Sequence, residues 1–146
     1  MKTLSLLQPH ASLIAIGAKK IETRSWSTKY RGPLAIHSSK GFLKFVRELC
    51  KIEPFKTVLS KAGFDLKNLP LGKVVATCNL VDCIKMTPEF IESIKSPELD
   101  FGVYAVGRCA WILENVKPLD VPILAKGKLS LWEWEVPRDE KNPPNK

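Results

Sequence analysis

Apolar residues along this chain recur with two periods, and their succession sketches a small mixed domain. Residues 2–7, Lys-Thr-Leu-Ser-Leu-Leu, read as a short strand. Pro9 suits the first position of a helix over the Ala-, Leu- and Ile-rich residues 9–16, and Gly17 suits its exit. From Ile21 to Trp26 the chain alternates Ile21, Thr23 and Ser25 with Glu22, Arg24 and Trp26, the period of a strand. After a turn at Tyr30-Arg31-Gly32-Pro33, Leu34 to His37 forms another strand, and Ser38 or Ser39 is placed to cap a helix over residues 41–52. In that helix Phe42, Phe45, Val46 and Leu49 fall on one stripe. A helical turn or two over 55–62 ends at Gly63, and 64–72 is a loop. Lys73 to Ile84 has the β-branched content of a long central strand. Thr87 and Pro88 start a short helix as cap and first residue. Phe101 to Asn115 reads as a strand interrupted near Gly107. Leu129 to Val136 alternates, with Trp132, Trp134 and Val136 on one face. Strands joined by short helices without strict β-α-β succession predict an α+β class, a small mixed β-barrel rather than a doubly wound sheet.

The 146 residues suit one domain, placed at 1–136, with a polar tail at 137–146 whose three prolines should let it fray. With 45% hydrophobic and 26% charged residues, the composition excludes a disordered, collagen-like or disulfide-dense chain. No apolar run approaches the roughly 18 residues of a membrane span, and no signal-peptide pattern opens the chain. Cys50, Cys78, Cys83 and Cys109 form no C-x-x-C pair, and no Cys or His spacing suits zinc, so reduced thiols, no metal and a cytoplasmic address are expected. Phosphate-binding loops, dinucleotide fingerprints and nucleophile-elbow motifs are missing, and no cofactor is expected.

Charge changes the picture. Residues 1–51 hold ten Lys/Arg against two acids, while residues 52–146 hold thirteen of each, so the whole excess of +8 lies in the first third. Such a segment attracts polyanions, with nucleic acid the natural partner class. A solvated basic face that only aids solubility is the alternative.

The segment Gly17-Ala18-Lys19-Lys20-Ile21-Glu22-Thr23-Arg24 has the spacing G-x-K-x-x-E-x-R. It resembles the signature of the ASCH domain, a branch of the PUA-like superfamily. Flanking blocks match as well, among them Gln8-Pro9-His10-Ala11-Ser12-Leu13-Ile14, Leu34-Ala35-Ile36-His37, Gly72-Lys73-Val74-Val75-Ala76-Thr77, Gly107-Arg108 with Ala110-Trp111, and Ala125-Lys126-Gly127 with Leu131-Trp132. The resemblance extends over residues 3–135. It implies a PUA-like β-barrel flanked by helices, a cleft holding the Lys-Glu-Arg signature, and association with RNA. On it Arg108, Lys126 and Lys128 become candidates for the cleft rim. His10 stands where relatives usually carry Trp.

The residues support a site independently. Strand period puts Glu22, Arg24 and Trp26 on one face, with Lys19 just before it. A carboxylate accepts hydrogen bonds from the amino edge of a base, a guanidinium grips phosphate and an indole offers a stacking plate. Lys29 and Arg31 on the next turn add phosphate contacts, and His37 to Lys40 are expected at a helix start. The ligand expected is RNA, single-stranded nucleic acid or a nucleoside or nucleotide. The alternative is structural, an ion pair of Glu22 with Lys19 or Arg24 at a barrel mouth and Trp26 as edge packing.

One branch of the resembling family hydrolyses acetylcytidine with a Lys base, a Thr three residues later as nucleophile and a distant Glu acid. Here the Lys falls on Lys19, but the Thr position is Glu22, and Thr23 on a strand points to the other face. Glu98 is a loose match to the acid. A binding module is therefore the first expectation. A small hydrolase of modified nucleosides or a ribonuclease, with Glu22 activating water beside a Lys19 of lowered pKa, is the second.

Overall fold

The computed structural model describes residues 1–137, so the tail expected at 137–146 lies, apart from Pro137, outside the described residues. Six strands form one curled sheet in the order β2-β5-β4-β3-β1-β6, a half barrel carrying a few short helices, as the α+β expectation required. The strands are β1 (Lys2–Leu6), β2 (Ile21–Arg24), β3 (Gly32–Ser38), β4 (Lys73–Lys85), β5 (Cys109–Leu124) and β6 (Leu131–Glu133). β1 and β3 are parallel, and every other pairing is antiparallel. Helices α1 (His10–Ala15), α2 (Lys44–Leu49), α3 (Phe55–Lys61) and α4 (Pro88–Ser93), with a 3₁₀ turn at Glu98–Phe101, fill the connections.

The main core lies between the sheet and α1. Leu4, Leu6, Ile14, Leu34, Ile36, Leu80, Trp111 and Leu113 pack there, each 2% exposed or less. A second cluster, with Leu13, Phe55, Leu59, Leu69 and Phe101, sits beneath α2 and α3 and forms one wall of the site described below. A third joins Ala35 and Val74 to Trp132 and Trp134. Both tryptophans therefore share one apolar environment, although β6 ends at Glu133.

Several local expectations give way. α2 spans six residues with Leu43 as its N-cap, so Ser38 and Ser39 cap nothing: Ser38 belongs to β3, and the Ser39 amide donates to the Leu6 carbonyl at 2.8 Å. On so short a helix Val46 alone is buried, and Phe45 is 62% exposed. The strand expected from Phe101 begins at Cys109, because Phe101 ends the 3₁₀ turn and Gly107 takes φ +91°. β5 then runs past Asn115 to Leu124. Beyond Ile112 only β4 pairs with it, so Pro118 and Pro122 are tolerated along a sheet edge. Thr87 does cap α4, its hydroxyl accepting from the Phe90 amide at 3.1 Å, with Pro88 at the first position.

Candidate functional site

β2 starts where α1 hands over to the sheet, and this junction builds the site. The Lys19 amide donates to the Leu13 carbonyl at 3.0 Å, folding residues 17–19 back beneath α1 so that the Lys19 side chain enters the interior at 1% exposure. Glu98 accepts from the amides of Lys20 and Ile21 at 2.6–3.1 Å and fixes the first residues of β2. Burial raises the Glu98 carboxyl, but its oxygens serve this backbone.

Inside, Lys19, Glu22 and Arg24 form one array. The Lys19 Nζ lies 3.0 Å from Glu22 Oε1, and Arg24 reaches Oε2 through both Nε and Nη2 at 2.9 Å. The Thr23 amide donates to Oε1 at 3.2 Å. Both Glu22 oxygens are thus engaged by the protein, Oε1 by Lys19 and the Thr23 amide and Oε2 by the Arg24 guanidinium. Burial works to raise the Glu22 carboxyl, but the Lys19 and Arg24 charges outweigh it and hold it below its ordinary value.

His10 closes the array. Its Nδ1 stands 2.9 Å from Lys19 Nζ, and burial, together with the Lys19 charge, brings the imidazole down to about 4. It is neutral at physiological pH, and since an ammonium only donates, Nδ1 accepts and the proton sits on Nε2. Two cations against one carboxylate leave one surplus positive charge. Among the described residues, the third Lys19 N–H and Arg24 Nη1 find no protein acceptor.

Two clefts open on either side of Arg24. The first, about 470 Å³, has Lys19, Glu22 and His10 in its lining, Phe55 and Phe101 as an apolar wall, and Arg108 and Asp100 at the rim. Phe55 and Phe101 pack edge-on with centroids 5.1 Å apart. Arg108 is held by the Val103 carbonyl at 3.1 Å, and Val103 in turn donates from its amide to Thr23 Oγ1 at 3.0 Å. The second cleft, about 870 Å³, is bounded by Ser5, His37, Lys40, Lys126 and Lys128. Arg24, Ser5 and Ser39 line both, and Arg24 Nη2 donates to the Ser5 carbonyl at 2.9 Å.

The structure thus brings Lys19, Glu22, Arg24 and Arg108 to one cleft, and His37 and Lys126 to its neighbour. Trp26 goes elsewhere, because β2 ends at Arg24. Its ring meets Trp111 edge-on at 4.8 Å while its carbonyl accepts from Trp111 Nε1. Lys29 is exposed outside both clefts, and Arg31 binds the Thr28 and Tyr30 carbonyls and pairs with Asp82 at 3.6 Å. His37 lies within β3, not at a helix start. Sequence reasoning passed over Ser5 and Phe101 and placed Lys40 only at an expected helix start. His10 carried one signal, an imidazole beside the Lys-Glu-Arg segment.

The ASCH domain family model matches residues 4–123. Activating signal cointegrator 1 from Mus musculus is 28% identical over 131 residues, and that from Homo sapiens 26% over the same length. In both cases 89% of this chain aligns with 22% of the relative, so the chain spans about a fifth of these proteins. No helix among the described residues is long and apolar enough to cross a membrane, and no group of metal-ligating side chains occurs among them.

Proposed function

The chain belongs to the ASCH-domain family, and on that premise we propose that it binds phosphate-bearing nucleotide ligands, RNA foremost, in the cleft floored by Lys19, Glu22 and Arg24. The observation that carries the reading is the buried surplus positive charge of that floor. Its spare donors face a cleft whose other wall is apolar. An anion satisfies the donors and the charge together, with a phosphate reaching Arg24 over a floor that the buried Phe55 and Phe101 back. Glu22 takes the role of counter-ion: it keeps two cations close together and oriented without contacting the ligand.

Hydrolysis is the weaker reading. The position of the Thr nucleophile in the acetylcytidine-hydrolysing branch holds Glu22, whose oxygens are engaged by Lys19, Arg24 and the Thr23 amide and whose carboxyl is held below its usual range. Thr23 Oγ1 is engaged with the Val103 amide, and Glu98 with the backbone of β2. Glu22, Thr23 and Glu98 are thus each engaged by the protein rather than poised to activate a water.

Fluorescence anisotropy with labelled single-stranded RNA tests the proposal. About four phosphate contacts give a log–log salt slope near −3, and Arg24→Gln weakens binding by at least about tenfold. An affinity indifferent to salt and to Arg24→Gln, or no binding at low salt, overturns it.

A further inference from the structure

The second cleft is as carefully built as the first, yet nothing in the Lys-Glu-Arg array accounts for it. His37, 1% exposed, organises its floor. Its Nε2 lies 2.7 Å from the Ala125 carbonyl, which only accepts, so Nε2 carries the proton. Burial lowers the His37 imidazole and keeps it neutral, so Nδ1 accepts at 2.9 Å from the Ser5 hydroxyl, which itself receives the Trp132 Nε1–H at 3.0 Å. Both ring nitrogens are spent on the protein, and what they secure is the segment after β5. Gly127 lies so close over the His37 ring that a Cβ there would stand 2.8 Å from Cε1. The Ala125 amide also donates to the Gly72 carbonyl at 3.1 Å, and the Lys40 stem crosses Gly72.

The relay therefore holds Lys126 and Lys128 on either side of a pinned glycine, facing Lys40 across the cleft. Among the described residues, no acid lines this cleft and these three lysines have no ion-pair partner. Leu124 and Leu129, 72% and 92% exposed, line it as well. Lysines around exposed apolar side chains suit a flexible chain that alternates phosphates with base faces.

We propose that this cleft is a second nucleotide subsite, so that the preferred ligand is a single strand crossing both clefts rather than a free nucleotide, with Arg24 on the shared wall gripping the phosphate that passes between them. The inference rests on the proposed nucleotide binding at the first cleft and adds a second subsite and the path of the strand. Arg24 fits that bridging place, because its Nε and Nη2 are fixed by Glu22 and the Ser5 carbonyl while Nη1 has no protein acceptor among the described residues. Continuity between the clefts through Ser5 and Ser39 gives the strand its path.

Calorimetric titration of the full chain with uridine 5′-monophosphate and with an oligouridylate of about eight nucleotides separates the possibilities. The wild type is expected to bind the oligonucleotide at least about tenfold tighter than the monophosphate. Lys126→Ala/Lys128→Ala, at two exposed positions where folding is not at stake, should remove most of that advantage and make the salt slope shallower by about 1.4. Leu129→Ser should weaken the oligonucleotide with no change in slope, since it removes no charge. An oligonucleotide advantage that survives the double substitution overturns the second subsite and leaves the first cleft standing. Wild-type protein that binds neither ligand overturns both readings.

Discussion

Glu22→Gln is the perturbation that asks most of the site's electrostatics. In the wild type a carboxylate 6% exposed neutralises one of two cations that it touches at 2.9–3.0 Å. The amide keeps the shape, but its oxygen serves only one cation and its NH₂ must face the other, so two like charges remain close with little water between them. Removing one partner of a buried pair costs about 3–5 kcal/mol, and the retained oxygen places this case near the lower end. For a domain of this size about 3 kcal/mol lowers the thermal midpoint by about 10 °C. Urea unfolding monitored by tryptophan fluorescence should give the same loss with m unchanged. The surplus charge in the cleft rises from one to two, so inorganic phosphate should stabilise Glu22→Gln more than the wild type. Adding Lys19→Met should recover at least about 1 kcal/mol, because it removes the charge left stranded. A Glu22→Gln protein within about 1 kcal/mol of the wild type, with no greater response to phosphate, refutes the counter-ion role.

Other outcomes follow from the same geometry. His10 titrates at 6.5 when unfolded and about 4 when folded, so the unfolded chain binds the extra proton and stability falls as pH drops from 6.5 towards 4, by at most about 3 kcal/mol; denaturation midpoints across this window should show the slope in the wild type and a flatter one in His10→Asn. Glu22, held low, adds its own loss only as pH falls through and below its unfolded value of 4.5, so acid unfolding of Glu22→Gln should lack that lower limb. The Tyr104 hydroxyl is buried without a hydrogen-bond partner among the described residues, so Tyr104→Phe should raise stability by up to about 1 kcal/mol in the same unfolding assay, and a loss of that size would contradict it. Gly102→Ala places a Cβ 2.8 Å from Thr23 Cγ2 and should cost about 1–3 kcal/mol while loosening the Val103 amide, visible as faster hydrogen exchange there.

How far the sequence revealed this site follows from what each residue depends on. Glu22 and Arg24 are two apart on a strand, so period two alone put them on one side, and Lys19 needed only a short reach. Trp26 failed the same rule because β2 stops at Arg24 and the next residues turn to pack on Trp111. His10 joins Lys19 only after residues 17–19 fold back beneath α1, a tertiary event that no local pattern announces. The second cleft is harder still, since Ser5, His37, Gly72 and Gly127 come from strands and loops far apart in the chain, and the β3–β4 register shifts beside His37, where Val75 of β4 is skipped. The stripe through Phe45 misled because its periodicity assumed a helix longer than the six residues that form.

The central claim is that the buried Lys19–Glu22–Arg24 floor receives a phosphate. An NMR titration with uridine 5′-monophosphate and, separately, uridine tests it most directly, following the Arg24 side-chain N–H signals and the backbone amides of Thr23 and Val103. The monophosphate should shift all of these at concentrations where uridine shifts none. Equal responses to both ligands, or shifts confined to the Trp26 and Lys29 side of the domain, would contradict the account.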